Sequence, residues 1–163
     1  MIVVADTSVL LNLCRVELAD LLPSLFGEVW IPPMVEHEFN RLSKMHARFT
    51  GLQLPPWVKR SAEVPVPANV SACPDLDPGE TEALALALSL HADFILVDDL
   101  AARRAAAQLN QRSTGIGGIL LLAKGQGLIP AVGPCLDRLR LEARFYISKP
   151  FREEVLRLAG EAS

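Results

Sequence analysis

The sequence predicts an α/β fold in which helices cover both faces of a mainly parallel central β-sheet. Short apolar runs rich in β-branched residues alternate with longer helical patterns, as in proteins built from parallel strands. Two of these runs, at residues 2–5 and 94–97, are continuously apolar, which is typical of strands buried on both faces. Both end directly in aspartate, so we expect acidic side chains at the carboxyl edge of the sheet.

Length and composition favour a single domain spanning residues 1–163, and a hydrophobic content of 50% allows a sizeable core. The net charge of −3 argues against an extensive basic coat for nucleic acid, although it leaves room for local basic patches. The three cysteines are scattered and form no C-x-x-C pair, which indicates free thiols in a reducing cytosol. No basic stretch precedes the first apolar run, and no apolar run approaches the about 20 residues that cross a bilayer. We therefore expect a cytoplasmic protein without a signal peptide or a membrane partner.

The first third of the chain alternates between strand and helix patterns. The predicted elements are a strand at 2–5, helices at 8–13 and 15–26, a strand at 29–31 and a helix at 32–42. Pro32 and Pro33 open the last of these helices because proline is favoured in a first helical turn.

Prolines interrupt any regular pattern in the middle of the chain. Pro55, Pro56, Pro65 and Pro67 divide residues 46–70 into extended pieces, of which 57–64 is predicted to be a short edge strand.

The next helix begins at Asp77. This residue can cap the helix, Pro78 takes the first helical position and Glu80 closes a capping box three residues on, so a helix is expected to about Leu90.

The last part of the chain returns to one strand followed by helices. The predicted elements are a strand at 94–97, a helix at 100–109, a glycine-rich turn at 113–118 with a helix to 124, and helices at 134–145 and 151–159. The glycines of the turn, Gly115, Gly117 and Gly118, fit either backbone amides that bind a phosphate or a tight strand-to-helix turn.

The strand-end acids are the first candidates for chemistry. Asp6 alone could simply cap the helix that follows it, but Asp98 and Asp99 repeat the same arrangement after another buried strand. Acids that converge at one edge of a sheet repel each other unless one is protonated or a cation neutralises them. Ligation by oxygen alone suits Mg²⁺ or Mn²⁺, so we expect one of these metals.

Two helices each offer a pair of glutamates two residues apart, which therefore face different sides. On the helix at 32–42, Glu38 adjoins the apolar stripe and can reach inward, whereas Glu36 is less clearly placed. On the helix that starts after Asp77, Glu80 already closes the capping box, so Glu82 is the favoured metal ligand and Glu80 the second candidate. For each glutamate alone, a solvated surface position is the alternative.

Arg103 and Arg104 begin the helix beyond Asp99 and bring positive charge near the acids. They could hold a phosphate of a substrate or be ordinary solvated helix residues. His37-Glu38 does not continue into a zinc motif, because Arg41 occupies the place of the second histidine.

Four segments in order resemble the PIN-domain family of nucleases. They are Val4-Ala5-Asp6-Thr7-Ser8-Val9-Leu10, Ile31-Pro32-Pro33-Met34-Val35-Glu36-His37-Glu38-Phe39, Leu76-Asp77-Pro78-Gly79-Glu80-Thr81-Glu82-Ala83-Leu84-Ala85 and Ile95-Leu96-Val97-Asp98-Asp99. The downstream Gly117-Gly118-Ile119-Leu120, with Ala123-Lys124 and Gly127-Leu128-Ile129, is similar to a prokaryotic branch related to VapC toxins. Asp98 stands where many members have threonine, so the choice between Asp98 and Asp99 stays open, as does that between Glu80 and Glu82.

The resemblance implies a three-layer α/β/α PIN-like fold and Mg²⁺- or Mn²⁺-dependent hydrolysis of RNA. It implies that Asp6, Glu38, Glu82 and Asp98 or Asp99 hold one or two metals, and Thr7 or Ser8 could orient a carboxylate or a water molecule. A homodimer and a cognate antitoxin are the partners it implies.

Two other functions remain as alternatives. A PIN-like module could bind RNA or a protein without cutting. A phosphatase-like domain with Asp6 as nucleophile is disfavoured because Ser8 occupies the place of its second acid.

Overall fold

The computed structural model describes residues 1–161 and confirms the α/β architecture. Within these residues the central sheet has five strands, all parallel, in the order β3-β2-β1-β4-β5. The strands are β1 Ile2–Ala5, β2 Glu28–Ile31, β3 Val58–Arg60, β4 Phe94–Leu96 and β5 Ser113–Thr114. The helices are α1 Thr7–Arg15, α2 Leu21–Phe26, α3 Pro33–Met45, α4 Ala68–Ser71, α5 Pro78–Leu90, α6 Leu100–Gln108, α7 Ile116–Gly125, α8 Gly133–Glu142 and α9 Lys149–Leu158, with a 3₁₀ turn at Ala47–Phe49.

The central strand β1 is covered on both faces. Val3, Val4 and Ala5 are consecutive and completely buried, although neighbouring residues of a strand point to opposite faces of the sheet. Both faces must therefore be packed by other elements, as the continuous apolar run predicts for a parallel sheet. The three-layer α/β/α arrangement is confirmed.

The strand order places a switch in direction between β1 and β4. From β1 the chain continues through β2 to β3 on one side, and from β4 it continues to β5 on the other side. Ala5 of β1 pairs with Leu96 of β4, and the Asp6 N–H donates a 3.0 Å hydrogen bond to the Leu96 carbonyl. Loops that leave two adjacent strands in opposite directions open a crevice at their carboxyl ends, where ligands of such folds bind.

Two predicted features of the middle of the chain are confirmed. The edge strand expected within 57–64 is β3, which pairs only with β2 in the described sheet. The capping box at the start of α5 is present, with Glu80 N donating to Asp77 Oδ1 at 2.7 Å and Asp77 N donating to Glu80 Oε1 at 3.0 Å.

The prediction of a continuous helix over 15–26 is wrong. Helix α1 ends at Arg15 and α2 begins at Leu21, with Glu17 between them in the left-handed region at φ 59°. Val16 lies in this turn and is completely buried. Its apolar character therefore reflects packing of the turn against the core and does not mark a further helical residue.

Strand β5 was not predicted from the sequence. Its two residues, Ser113 and Thr114, are polar, and the segment reads as a turn because Gly115 follows at once. The main chain nevertheless pairs with β4, since the N–H groups of Ile95 and Val97 donate to the carbonyls of Arg112 and Thr114. Pairing of a short edge strand needs no apolar pattern, so side-chain periodicity could not have found it.

Among residues 1–161, no helix has the length and apolar character that would let it cross a membrane.

Candidate active site at the carboxyl edge of the sheet

Asp6 is a buried carboxylic acid at the centre of the site. It follows β1 directly and is only 5% exposed, and its side chain accepts no capping hydrogen bond from α1. Burial, reinforced by the nearby carboxylates of Glu80, Asp77 and Glu38, raises the pKa of Asp6 to about 8. Helix capping, the simplest alternative role for Asp6, is therefore not what the structure shows.

Glu38 reaches the site from α3 and is held by two neighbours. Its Oε2 accepts a 2.8 Å hydrogen bond from the Thr7 hydroxyl, which comes from the residue after Asp6. The backbone of Gly79 lies against the same carboxylate, because a Cβ atom at that position would come within 2.5 Å of Glu38 Oε2. The other glutamate of this helix, Glu36, turns away to form an ion pair with Arg60 at 2.6 Å.

Glu80 is the member of the third motif that lies in the site. It is 6% exposed, and its pKa is raised to about 7 by burial and by the nearby carboxylates of Asp77, Asp99 and Glu38. One of its oxygens accepts the Asp77 N–H of the capping box. The same side chain thus begins α5 and contributes negative charge to the site.

The structure corrects the placement of Glu82. Two residues along a helix correspond to a rotation of about 200°, so Glu80 and Glu82 point in nearly opposite directions. Glu82 Oε1 accepts a 3.0 Å hydrogen bond from the Met34 N–H in the first turn of α3. It satisfies a helix terminus there and does not line the cavity that holds Asp6.

A cavity of about 310 Å³ collects these groups, and we call it the acidic cavity. Its walls are Asp6, Thr7, Ser8, Leu11, Asn12, Glu38, Leu42, Arg48, Phe49, Asp77 and Glu80. Sequence reasoning assigned Asp77 only a capping role and did not single out Arg48. The position of Asp77 three residues before Glu80 was a usable signal, whereas Arg48 lies in an irregular segment that carries no motif.

Asp98 follows β4, the strand adjacent to the one that ends before Asp6, but its side chain faces another part of the molecule. Its Oδ1 accepts a 2.9 Å hydrogen bond from the Ile116 N–H at the start of α7, and burial raises its pKa. Its Oδ2 is buried and has no hydrogen-bond partner among the described residues. A Cβ atom at Gly115 would collide with Oδ1, so that glycine makes room for Asp98. The glycine-rich turn thus serves a carboxylate of the chain itself, and no phosphate is needed to explain it.

Asp99 caps α6 through a 3.1 Å hydrogen bond from the Ala102 N–H to its Oδ2. It is exposed and close enough to Glu80 to raise the pKa of that side chain. Asp98 and Asp99 line a second cavity of about 570 Å³ together with Leu100, Arg103, Phe145, Tyr146, Ser148 and Phe151. Asp98 and Asp6 therefore line different cavities, contrary to the expectation, and Asp99 acts on the acidic cavity only through its charge, which raises the pKa of Glu80.

Of the two arginines expected to bind substrate, Arg103 lines this second cavity and lies near enough to Asp98 to oppose the rise in its pKa. Arg104 is exposed on α6 and lines neither of these two cavities.

The acidic cavity has the donor chemistry of a site for a hard divalent cation, but not a finished coordination sphere. Every strong donor on its walls is a carboxylate oxygen, which suits Mg²⁺ or Mn²⁺. Burial first, and the neighbouring carboxylates second, raise the pKa of Asp6 and of Glu80, so the described residues do not stabilise the charged forms of these two acids. In residues 1–161, however, no three Asp, Glu, His or Cys side chains are grouped so that they could hold a metal ion. A cation would fit by charge and ligand type, and the carboxylates would have to move toward it.

Comparison with known protein families places this chain among them. A family model described as DUF3368, a PIN domain, matches residues 2–161, nearly the whole chain. No curated protein and no solved structure matches the chain significantly.

Proposed function

Because the chain belongs to the PIN-domain family, whose members are usually nucleases that use divalent metals, we propose that it is a Mg²⁺- or Mn²⁺-dependent endoribonuclease. One observation carries the proposal. A buried aspartate with a strongly raised pKa shares a cavity with three further carboxylates at the switch point of a parallel sheet. Such a concentration of unneutralised acid is costly for folding and is useful where a cation binds.

Asp6, Glu38 and Glu80 would hold the cation, and Asp99 would add charge from beside Glu80. When bound, a divalent cation supplies charge neutralisation at the scissile phosphate and lowers the pKa of an attacking water molecule. The choice of Glu80 over Glu82 follows from their opposite directions on α5.

The surrounding residues keep this acid set in place. The Thr7 hydroxyl orients Glu38, and the capping box with Asp77 fixes one oxygen of Glu80 while the other stays available. With a pKa of about 8, Asp6 holds a proton at neutral pH in the absence of a cation. Cation binding would therefore release a proton from Asp6, and the site is expected to bind metal more strongly as pH rises.

The choice of RNA as substrate rests on the sequence resemblance to the VapC-related branch. On the same basis we propose that the chain is the toxin of a toxin–antitoxin pair and forms a homodimer, and its scattered free cysteines support action in the cytoplasm. An adjacent reading frame for a small DNA-binding protein that blocks cleavage would support the pair, and a monomer in sedimentation would contradict the dimer.

A non-catalytic binding module is the second candidate. The lack of a preassembled group of metal ligands among residues 1–161 favours it, because a module that only binds RNA or protein needs none. The two candidates differ in whether metal binds at Asp6 and whether a phosphodiester bond is then broken.

The deciding experiment compares wild type, Asp6→Asn and Asp93→Asn on a fluorescently labelled single-stranded RNA with Mn²⁺, Mg²⁺ or EDTA. Asp93 is a matched control because it binds the Ile2 N–H at the amino end of the sheet, opposite the acidic cavity. We expect metal-dependent cleavage by wild type and Asp93→Asn, and a loss of at least about 100-fold in Asp6→Asn with its melting transition intact. Equal cleavage by all three proteins would show that Asp6 is not part of the active site. No cleavage by wild type under any condition would favour the binding module.

A further inference from the structure

A cavity lined by three arginines lies directly beside the acidic cavity, and we call it the arginine cleft. It has a volume of about 360 Å³ and is lined by Arg15, Ala47, Arg48, Leu141, Glu142 and Arg144. These residues come from the end of α1, the 3₁₀ turn after α3 and the end of α8. Segments far apart in the chain thus bring three guanidinium groups to one place in a protein whose net charge is −3.

Arg48 belongs to both cavities. It is half-buried and lines the acidic cavity as well as the arginine cleft. Its Nε donates a 2.9 Å hydrogen bond to the Ala143 carbonyl, and its guanidinium lies over the Phe49 ring at 4.9 Å from the ring centre. A side chain held in this way loses little conformational freedom when it binds a ligand.

Arg15 is oriented toward the same place. Its Nε donates a 3.1 Å hydrogen bond to the Arg48 carbonyl, which links α1 to the 3₁₀ turn. The remaining N–H groups of both arginines make no hydrogen bond to the described part of the chain, so they are available to an acceptor in the cleft.

The positive charge of the cleft is not balanced from within. None of its three arginines has a carboxylate within 4.0 Å in residues 1–161. The one acid in the cleft, Glu142, is engaged by Arg138 at 2.8 Å. The cleft therefore presents free cations next to a cavity of uncompensated acids.

Arg144 is placed where its backbone does not favour it. It follows α8 in the left-handed region at φ 52°, a position usually taken by glycine or asparagine. Its side chain is exposed and makes no hydrogen bond to the described residues. The Phe145 N–H donates a 3.0 Å hydrogen bond to the Leu139 carbonyl, so this conformation closes the end of α8 and leaves the exposed Arg144 side chain at the wall of the cleft.

We infer that the arginine cleft binds the phosphate backbone of an unpaired nucleic-acid strand next to the phosphate that enters the acidic cavity. Guanidinium groups bind phosphates through paired, charge-assisted hydrogen bonds. Arg48 would contact the phosphate nearest the acids, with Arg15 and Arg144 on the phosphates beyond it. The strand is inferred to be unpaired because two of the carboxylates, Asp6 and Glu80, are buried, and a flexible single strand reaches a recessed site more readily than a stiff duplex. This inference rests on the proposed function and adds the path of the substrate.

The test measures binding in EDTA, where no metal-dependent cleavage occurs. Fluorescence anisotropy of a labelled RNA of about 12 nucleotides would be recorded from about 50 to about 200 mM KCl. The variants are Arg15→Gln and Arg144→Asn, the latter chosen because asparagine tolerates the left-handed backbone. Arg112→Gln is the matched control, since that arginine lies over the Phe94 ring at the amino end of β5, away from the cleft.

For each cleft variant, the slope of log affinity against log salt should fall by about 0.7, the value for one lost phosphate contact on a single strand. Binding at about 50 mM salt should weaken about eightfold. The double variant should lose about twice that slope, while Arg112→Gln and all melting temperatures stay near those of wild type.

Unchanged slopes in both cleft variants would overturn the inference even if wild type cleaves RNA. Absence of any RNA binding by wild type at low salt would overturn it as well. Reduced slopes in a protein that never cleaves RNA would support the cleft and remove the proposed ribonuclease activity, so the two failures are distinguishable.

Discussion

At Asp6, two unfavourable effects act on one carboxyl group. Burial removes the water that would solvate its charge, and three neighbouring carboxylates repel that charge. The group responds by keeping its proton up to a pH of about 8. A cation in the cavity would favour the charged form at neutral pH, so Asp6 is the residue on which metal binding should depend most.

Gly79 has a role at the same scale, because its missing side chain leaves room for Glu38. We expect Gly79→Ala to push the Glu38 carboxylate off the Thr7 hydroxyl, since the new Cβ atom would lie within 2.5 Å of Oε2. Cleavage should fall about tenfold or more, because small displacements of reacting groups have large effects on rate. Melting temperature should stay equal or rise, as alanine is a better helix residue than glycine.

The control for this prediction is Gly125→Ala in α7, where an added Cβ atom would meet nothing within 4 Å. It offers the same gain in helix propensity and should keep full activity. If both alanine variants cleave equally, the close packing of Gly79 on Glu38 has no functional consequence.

At the scale of elements, the first turns of α5 carry two glutamates with different roles. Glu80 closes the capping box of its own helix and faces the acidic cavity, whereas Glu82 satisfies an N–H group of α3. The first turns of α5 are thereby bonded to the first turn of α3, and this contact helps to position the helix that carries Glu38 against the one that carries Glu80.

The two glutamates should therefore differ in which property they affect. Glu80→Gln keeps a carbonyl oxygen for the Asp77 N–H, so we expect a folded protein whose cleavage falls by about 10-fold to 100-fold. Glu82→Ala leaves the Met34 N–H without its acceptor and should cost about 1–2 kcal/mol of stability while the folded fraction remains active.

Chemical denaturation measured beside a cleavage assay separates these effects. An inactive but fully stable Glu82→Ala would show that the sequence-based choice of Glu82 as metal ligand is right and the geometric choice of Glu80 wrong.

At the scale of the whole molecule, the acidic cavity links stability to pH. Asp6 and Glu80 have pKa values of about 8 and about 7, raised from the ordinary 3.8 and 4.5. At a pH between the ordinary pKa and the raised pKa of each group, the folded protein holds a proton that the unfolded chain has released. The free energy of unfolding therefore falls as pH rises through this range. The stabilisation is complete below about pH 4 and is lost by about pH 8.

In EDTA, wild type should thus be less stable at about pH 8 than at about pH 5, by on the order of a few kcal/mol, since one pKa unit corresponds to about 1.4 kcal/mol. Asp6→Asn, which has no proton to lose, should show a flatter dependence. Saturating Mn²⁺ should raise the melting temperature of wild type more at about pH 8 than at about pH 5. An equal Mn²⁺ effect in Asp6→Asn would show that the metal binds outside the acidic cavity.

Local patterns in the sequence determined much of this protein. The apolar runs that end in Asp6 and Asp98 identify the central strands, and the Asp77–Glu80 capping box identifies the start of α5, because these features depend on neighbours within a few residues. The edge strand β5 and the turn at residues 16–20 could not be predicted from the sequence, since both depend on pairing or packing with distant parts of the chain.

Tertiary structure alone decided which acids share a cavity. Glu80 and Glu82 differ by a rotation about the helix axis, and the position of α3 determines which of them faces Asp6. Asp98 is a second example, because its side chain accepts a hydrogen bond from the Ile116 N–H at the start of α7. Arg48 is a third, because it lines the acidic cavity although it is distant in sequence from Asp6 and Glu80. Side-chain direction at a shared cavity is set by the packing of elements far apart in sequence, and no spacing rule within one segment contains that information.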